Sequence, residues 1–111
     1  MNKAFYALGR LKKGRMNNTE FNYSKRLDVM KQSGEILWYS FEALKFRLAD
    51  NTSYTSDFVV MRYDGLIELH ETKGFWTDDA RVKIKVAAEM YPFRFKAIKW
   101  EKKQWVEEVF E

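Results

Sequence analysis

Tyr54-Thr-Ser-Asp-Phe-Val-Val-Met-Arg-Tyr-Asp-Gly-Leu-Ile-Glu-Leu-His-Glu-Thr-Lys-Gly74 reads as two β-strands, Tyr54–Met61 and Leu66–Lys73, joined around Asp64-Gly65. The loop length sets the register, and the register decides which side chains share a face. A two-residue loop at Asp64-Gly65 pairs Asp57 with Thr72 and sends Glu71 and Lys73 to the opposite face from Asp57. A three-residue loop, Tyr63-Asp64-Gly65, with Gly65 in the left-handed conformation, instead pairs Asp57 with Glu71. In that second register Val59 faces Leu69 and Met61 faces Ile67, so one face is apolar throughout and ends in Asp57, Glu71 and Lys73. Gly65 stands where the longer loop needs it, which favours this register.

Outward from the hairpin, Asn17-Asn18-Thr19 offers N-cap side chains for a helix running to about Ser33, with Gly34 as its stop. Tyr23, Leu27 and Met30 form its apolar stripe, and Glu20 lies on the same stripe. Ile36–Phe41 and Leu44–Leu48 read as a strand pair or one long bent strand, with a turn at Asp50-Asn51. Downstream, Thr77-Asp78-Asp79 starts a second helix whose apolar face is Ala80, Ile84, Ala87, Ala88 and Tyr91, and Pro92 ends it. Phe93, Phe95 and Ala97 fit a further strand, Lys102-Lys103 a turn, and residues 104–110 an edge strand or a short helix. The expected order is α-β-β-β-α-β with a small C-terminal addition: an α/β (α+β) fold with a mixed sheet flanked by helices.

The 111 residues suit one domain, and 46% hydrophobic content supplies a single modest core. No apolar run approaches the roughly 18 residues of a membrane span, and no signal-peptide core opens the chain. These features predict a soluble, cytoplasmic protein with no membrane partner. With no Cys and one His, the chain lacks the ligands for disulfides, thiolate zinc sites or paired-histidine chemistry. Any metal must take oxygen ligands, which favours Mg2+ or Mn2+. The net charge of +4 is concentrated in a basic arm, residues 1–16, which carries Lys3, Arg10, Lys12, Lys13 and Arg15 and no acid, ahead of a domain over 17–111. Such an arm, Lys12, Lys13 and Arg15 in particular, suits a polyanion such as DNA, or is a solubilising tail.

Paired as expected, Asp57 and Glu71 can coordinate one Mg2+, with the Thr72 carbonyl as a possible third ligand. Such an ion polarises a phosphate and acidifies the attacking water. Lys73, one pleat beyond Glu71, would orient that water or neutralise charge developing on the phosphate. Glu20 either joins this acidic cluster from the first helix or simply favours its helix dipole. Arg81, Lys83 and Lys85 are an ordinary solvated helix face or a set of phosphate contacts. Alternation sends His70 to the opposite face, as a structural residue. Phe75 and Trp76 read as core or loop anchors rather than base-stacking platforms.

Asp57 on one strand and Glu71-Thr72-Lys73 on the next resemble the catalytic pattern of the PD-(D/E)XK nuclease superfamily, and the element order is similar to that superfamily's core across residues 18–99. The longer string Glu71-Thr-Lys-Gly-Phe-Trp-Thr-Asp-Asp79, with Glu20 and the basic arm, resembles the small phage nucleases related to phage endonuclease I, which resolve Holliday junctions as dimers. Ser56 departs from the pattern, standing where it has Pro. The resemblance implies a restriction-endonuclease-like fold and Mg2+-dependent cleavage of branched DNA in phage recombination or replication. It also implies catalytic roles for Glu20, Asp57, Glu71 and Lys73, and a homodimer. A duplex-cutting restriction- or transposase-type nuclease is the alternative enzyme, and a non-catalytic nucleic-acid-binding module the alternative of another class.

Overall fold

The computed structural model describes residues 14–73 and 76–110. Helix α1 spans Asn18–Ser33, followed by β1 (Ile36–Phe41), β2 (Lys45–Ala49), β3 (Thr52–Thr55), β4 (Phe58–Arg62), β5 (Ile67–Thr72), α2 (Asp78–Met90), β6 (Arg94–Glu101) and β7 (Gln104–Phe110). Five strands form one mixed sheet in the order β1-β4-β5-β6-β7, and β2 and β3 form a separate two-stranded sheet. All neighbours in the large sheet are antiparallel except β5 and β6, which run parallel with α2 between them in sequence. A parallel pair needs such a crossover because no tight turn can return the chain in the same direction.

The helices begin and end where short-range chemistry requires. Asn17 and Glu20 form a reciprocal capping box on α1, and Gly34 ends it in the left-handed conformation at φ 85°. Thr77 caps α2, whose first turn carries Asp78 and Asp79 at the positive end of the helix dipole. Tyr91, immediately before Pro92, is extended at φ −119° and ψ 144°, as expected for a residue preceding proline.

Two apolar layers lie on either side of the large sheet. On one face Tyr23 and Leu27 of α1 pack with Ile36, Phe58, Val60 and Ile98. On the other, Ile84 and Ala87 of α2 and Phe46 and Tyr54 of the small sheet pack with Val59, Leu69, Phe95 and Ala97. Phe58, Val59 and Val60 are consecutive and all buried, which is how a strand covered on both faces is written. Burying each such side chain stabilises the fold by about 1.5–3 kcal/mol, so β4 is central to the core.

Two strand expectations change. Ile36–Phe41 and Leu44–Leu48 neither pair with each other nor form one bent strand: β1 pairs with β4, and β2 with β3. Glu42, at φ 52°, turns the chain between them, and its N–H donates to the Asp57 carbonyl at 2.7 Å. The stretch from Tyr54 to Met61 is likewise two strands, interrupted at Ser56-Asp57, so that Tyr54 serves the small sheet and Val59 the large one. A continuous strand would put Tyr54 on one face with Phe58, but the two belong to opposite layers, so the break also changes which way the chain faces. The C-terminal segment is the edge strand β7 rather than a helix.

Candidate active site

The β4–β5 hairpin has the register that the three-residue loop requires. Phe58 pairs with His70, Val59 with Leu69 and Met61 with Ile67. The Arg62 N–H donates to the Leu66 carbonyl at 2.8 Å and the Gly65 N–H to the Arg62 carbonyl at 2.9 Å, closing the loop over Tyr63, Asp64 and Gly65. Gly65 adopts φ 87°, a left-handed conformation that glycine reaches without a steric penalty. One pair beyond Phe58 and His70, this register sets Asp57 opposite Glu71.

The strand break then builds the site. Because β4 starts only at Phe58, Asp57 occupies the end of the ladder, and its Oδ2 accepts from the Thr72 N–H at 2.8 Å and the Thr72 hydroxyl at 3.0 Å. Glu71 reaches back across the hairpin, its Oε1 accepting from the Asp57 N–H at 3.1 Å and from the Tyr54 hydroxyl at 2.9 Å. Lys73 Nζ lies 3.6 Å from Glu71 Oε2 with its side chain 40% exposed. The ammonium therefore stands at the solvent side of two buried carboxyl groups. Ser56, fully buried, bonds the Phe58 carbonyl through its hydroxyl at 3.4 Å, filling the position before Asp57 without a proline.

Burial and the adjacent Glu71 charge push the Asp57 carboxyl up to about 8, although the Thr72 donors oppose the shift. Burial raises Glu71 as well, against the lowering influence of the Tyr54 hydroxyl, Lys73 and the Asp57 N–H. Two carboxyl groups that disfavour each other's ionisation are a poor arrangement for a bare protein and a good one for a hard cation, whose charge relieves both desolvation and repulsion. Asp57 and Glu71 fit Mg2+ on this ground, as all-oxygen donors. Among the described residues they meet as a pair, and no cluster of three or more His, Cys, Asp or Glu side chains is assembled.

Glu20 has a defined local role. It is buried, and its Oε1 accepts from the Asn17 N–H at 2.8 Å to complete the α1 cap, while its charge also raises Asp57. Arg81 is engaged elsewhere, in a bidentate pair with Glu108 of β7 at 2.7 and 3.1 Å. Lys83 and Lys85 are exposed on α2, and Arg15 is exposed ahead of α1. Lys12, Lys13 and Phe75 lie outside the described residues. Trp76 packs against the α2-side core, in keeping with an anchoring role.

Two features of the site region are not apparent from sequence patterning. Tyr54 looks like one more residue of a continuous strand, and only the separate small sheet brings its hydroxyl to Glu71. On the opposite face of β5, His70 is buried between the Tyr23 hydroxyl, 2.7 Å from Nδ1, and Glu68 Oε1, 2.9 Å from Nε2. Lys96 bridges Glu68 and Glu107 at 3.3 and 3.1 Å, and Arg26 pairs with Glu107 at 3.2 Å. This network satisfies the polar groups that β5 buries under α1, so His70 is structural. In comparisons with known proteins, the chain matches no family model, no curated protein and no solved structure.

Proposed function

We propose that the protein is a Mg2+-dependent DNA endonuclease with a restriction-endonuclease-like αβββαβ core, in which α1, β1, β4, β5, α2 and β6 are the core elements and β2–β3 an insertion. The observation that carries this reading is the buried Asp57–Glu71 pair with Lys73 at its mouth. A surface ion pair has no need of two buried carboxyl groups raised by burial, and a binding-only module has no need of Lys73 beside them.

Asp57 and Glu71 would hold Mg2+, with Mn2+ as a substitute and the Thr72 carbonyl as a further ligand. When bound, the ion supplies Lewis acidity toward the phosphate and lowers the pKa of water. Thr72 fixes Asp57, and Tyr54 fixes Glu71, so both carboxylates are oriented before substrate arrives. Lys73 orients the attacking water or neutralises charge on the phosphate as water adds to phosphorus and one P–O ester bond breaks. Glu20 adds negative charge from α1. Lys12, Lys13, Arg15, Lys83 and Lys85 are the proposed backbone contacts, with Arg81 available only if its pair with Glu108 opens.

Branched DNA such as a four-way junction, cut by a homodimer during phage recombination or replication in the host cytoplasm, is the proposed substrate. The test is a gel comparing four-way junction, linear duplex and single strand, each with Mg2+, Mn2+ or EDTA. Divalent-dependent nicking strongest on the junction is the expected result. Preferential duplex cutting would point to a restriction- or transposase-type enzyme, and binding with no cutting in either metal would leave a non-catalytic module.

A further inference from the structure

The β6–β7 hairpin ends in a pair of tryptophans that the proposed chemistry does not use. Trp100 and Trp105 are directly opposite each other in the ladder, with ring centroids 4.9 Å apart at 65°. Trp105 is anchored edge-on against Tyr23 at 5.1 Å, whereas Trp100 is 52% exposed. Together with Thr19 and Asn22 of α1 they line a cavity of about 360 Å³. The turn beyond them carries Lys102 and Lys103, both exposed, whereas Lys99 faces the other side of β6 with Trp76 and Arg81.

The position of this cavity follows from the sheet. Since β6 runs parallel to β5 with Ile98 beside Thr72, Trp100 lies past the same strand ends that carry Glu71 and Lys73. The cavity lies on the α1 face of the sheet and the Asp57–Glu71 pair on the α2 face, so the two meet only around the strand ends, where the first turn of α1 lends Thr19 to the cavity and the adjacent Glu20 acts on Asp57. An exposed indole held by a second indole, amide and hydroxyl groups from Asn22 and Thr19, and flanking lysines together match a flat heteroaromatic ring with polar edges on an anionic chain. We propose that this cavity takes an unstacked nucleobase of DNA held at the Asp57–Glu71 centre, with Trp100 as the stacking platform and Lys102 and Lys103 on the neighbouring phosphates. The inference rests on the nuclease reading and narrows its substrate to DNA with unpaired bases beside the cut, as at a fork or an open branch point.

The experiment measures binding to a fully paired duplex and to a forked duplex of the same sequence, by fluorescence anisotropy in Ca2+, for wild type, Trp100→Ala and Trp100→Phe. Cleavage of both DNAs by the wild type is followed separately in Mg2+. Wild type should prefer the fork, Trp100→Ala should weaken fork binding about tenfold with duplex binding unchanged, and Trp100→Phe should retain most of the preference. Unchanged fork binding in Trp100→Ala, or an equal loss on both DNAs, overturns the proposal. So does dissociation of a dimer by Trp100→Ala in sedimentation, which would show that a second copy covers the indole. A Trp100-dependent preference without cleavage would keep the base site and sink the nuclease reading. Cleavage without a Trp100 effect would do the reverse, and a wild type that binds neither DNA would remove both.

Discussion

Asp57→Asn should make the metal-free protein more stable, by an amount that grows with pH. With its carboxyl pushed up to about 8, Asp57 keeps its proton in the folded state at pH values where the unfolded chain has lost it. Between the ordinary carboxylate range and about 8, the folded state therefore binds more protons, and wild-type stability falls as pH rises. One retained proton corresponds to about 1.4 kcal/mol per pH unit. The proton belongs to the Asp57–Glu71 pair, but removing either carboxyl ends the competition. The amide oxygen of the replacement still accepts from Thr72, so the strand end is preserved.

The assay is urea denaturation of both proteins in EDTA at several pH values between about 5 and 7.5, read as the difference in stability. Taking the difference matters because His70 contributes the opposite slope. Its folded pKa is lowered by burial, so its contribution improves as pH rises toward 6.5, equally in both proteins. The gap should widen by roughly 1 kcal/mol per pH unit and narrow when Mg2+ is added, since only the wild type retains both carboxylates. A gap that is constant or shrinks with pH would refute the claim that burial, with the Glu71 charge, keeps a proton on the Asp57–Glu71 pair.

Tyr54→Phe removes the hydroxyl that holds Glu71 Oε1 and should slow DNA cleavage about tenfold with DNA affinity retained; an unchanged single-turnover rate would remove Tyr54 from the positioning role. At about pH 6, nitrogen NMR should show His70 neutral, with the proton on Nε2 facing Glu68 and the Tyr23 hydroxyl donating to Nδ1; an imidazolium there would contradict the network. Gly65→Ala should cost about 1 kcal/mol in urea denaturation, a backbone cost alone, because an added Cβ meets nothing within 4 Å. A loss above about 3 kcal/mol would mean the loop is constrained by more than its left-handed residue.

The hairpin was legible because its signals are local. Gly65 specifies a loop length, the loop length a register, and alternation then carries that register to Asp57 and Glu71. Both helices were legible for the same reason, through Asn17, Gly34, Thr77 and Pro92. What stayed hidden depends on partners distant in sequence. The break at Ser56-Asp57 follows from a contest between two sheets for one apparently continuous strand, and the Trp100–Trp105 pair becomes a cavity only when α1 brings up Thr19 and Asn22. The second commitment of Glu20, to the Asn17 cap, is written in its spacing, yet the spacing does not say how far its charge reaches.

Single-turnover cleavage of a four-way junction in Mg2+ by wild type and Lys73→Ala, with DNA affinity measured in Ca2+ for both, tests the central claim most directly. Lys73 stands at the mouth of the site with its side chain 40% exposed, so its removal leaves the packing of the Asp57–Glu71 pair in place. Wild type should cut, and the variant should bind DNA nearly as well while losing at least about a hundredfold in rate. Equal cleavage by the two proteins would contradict the account.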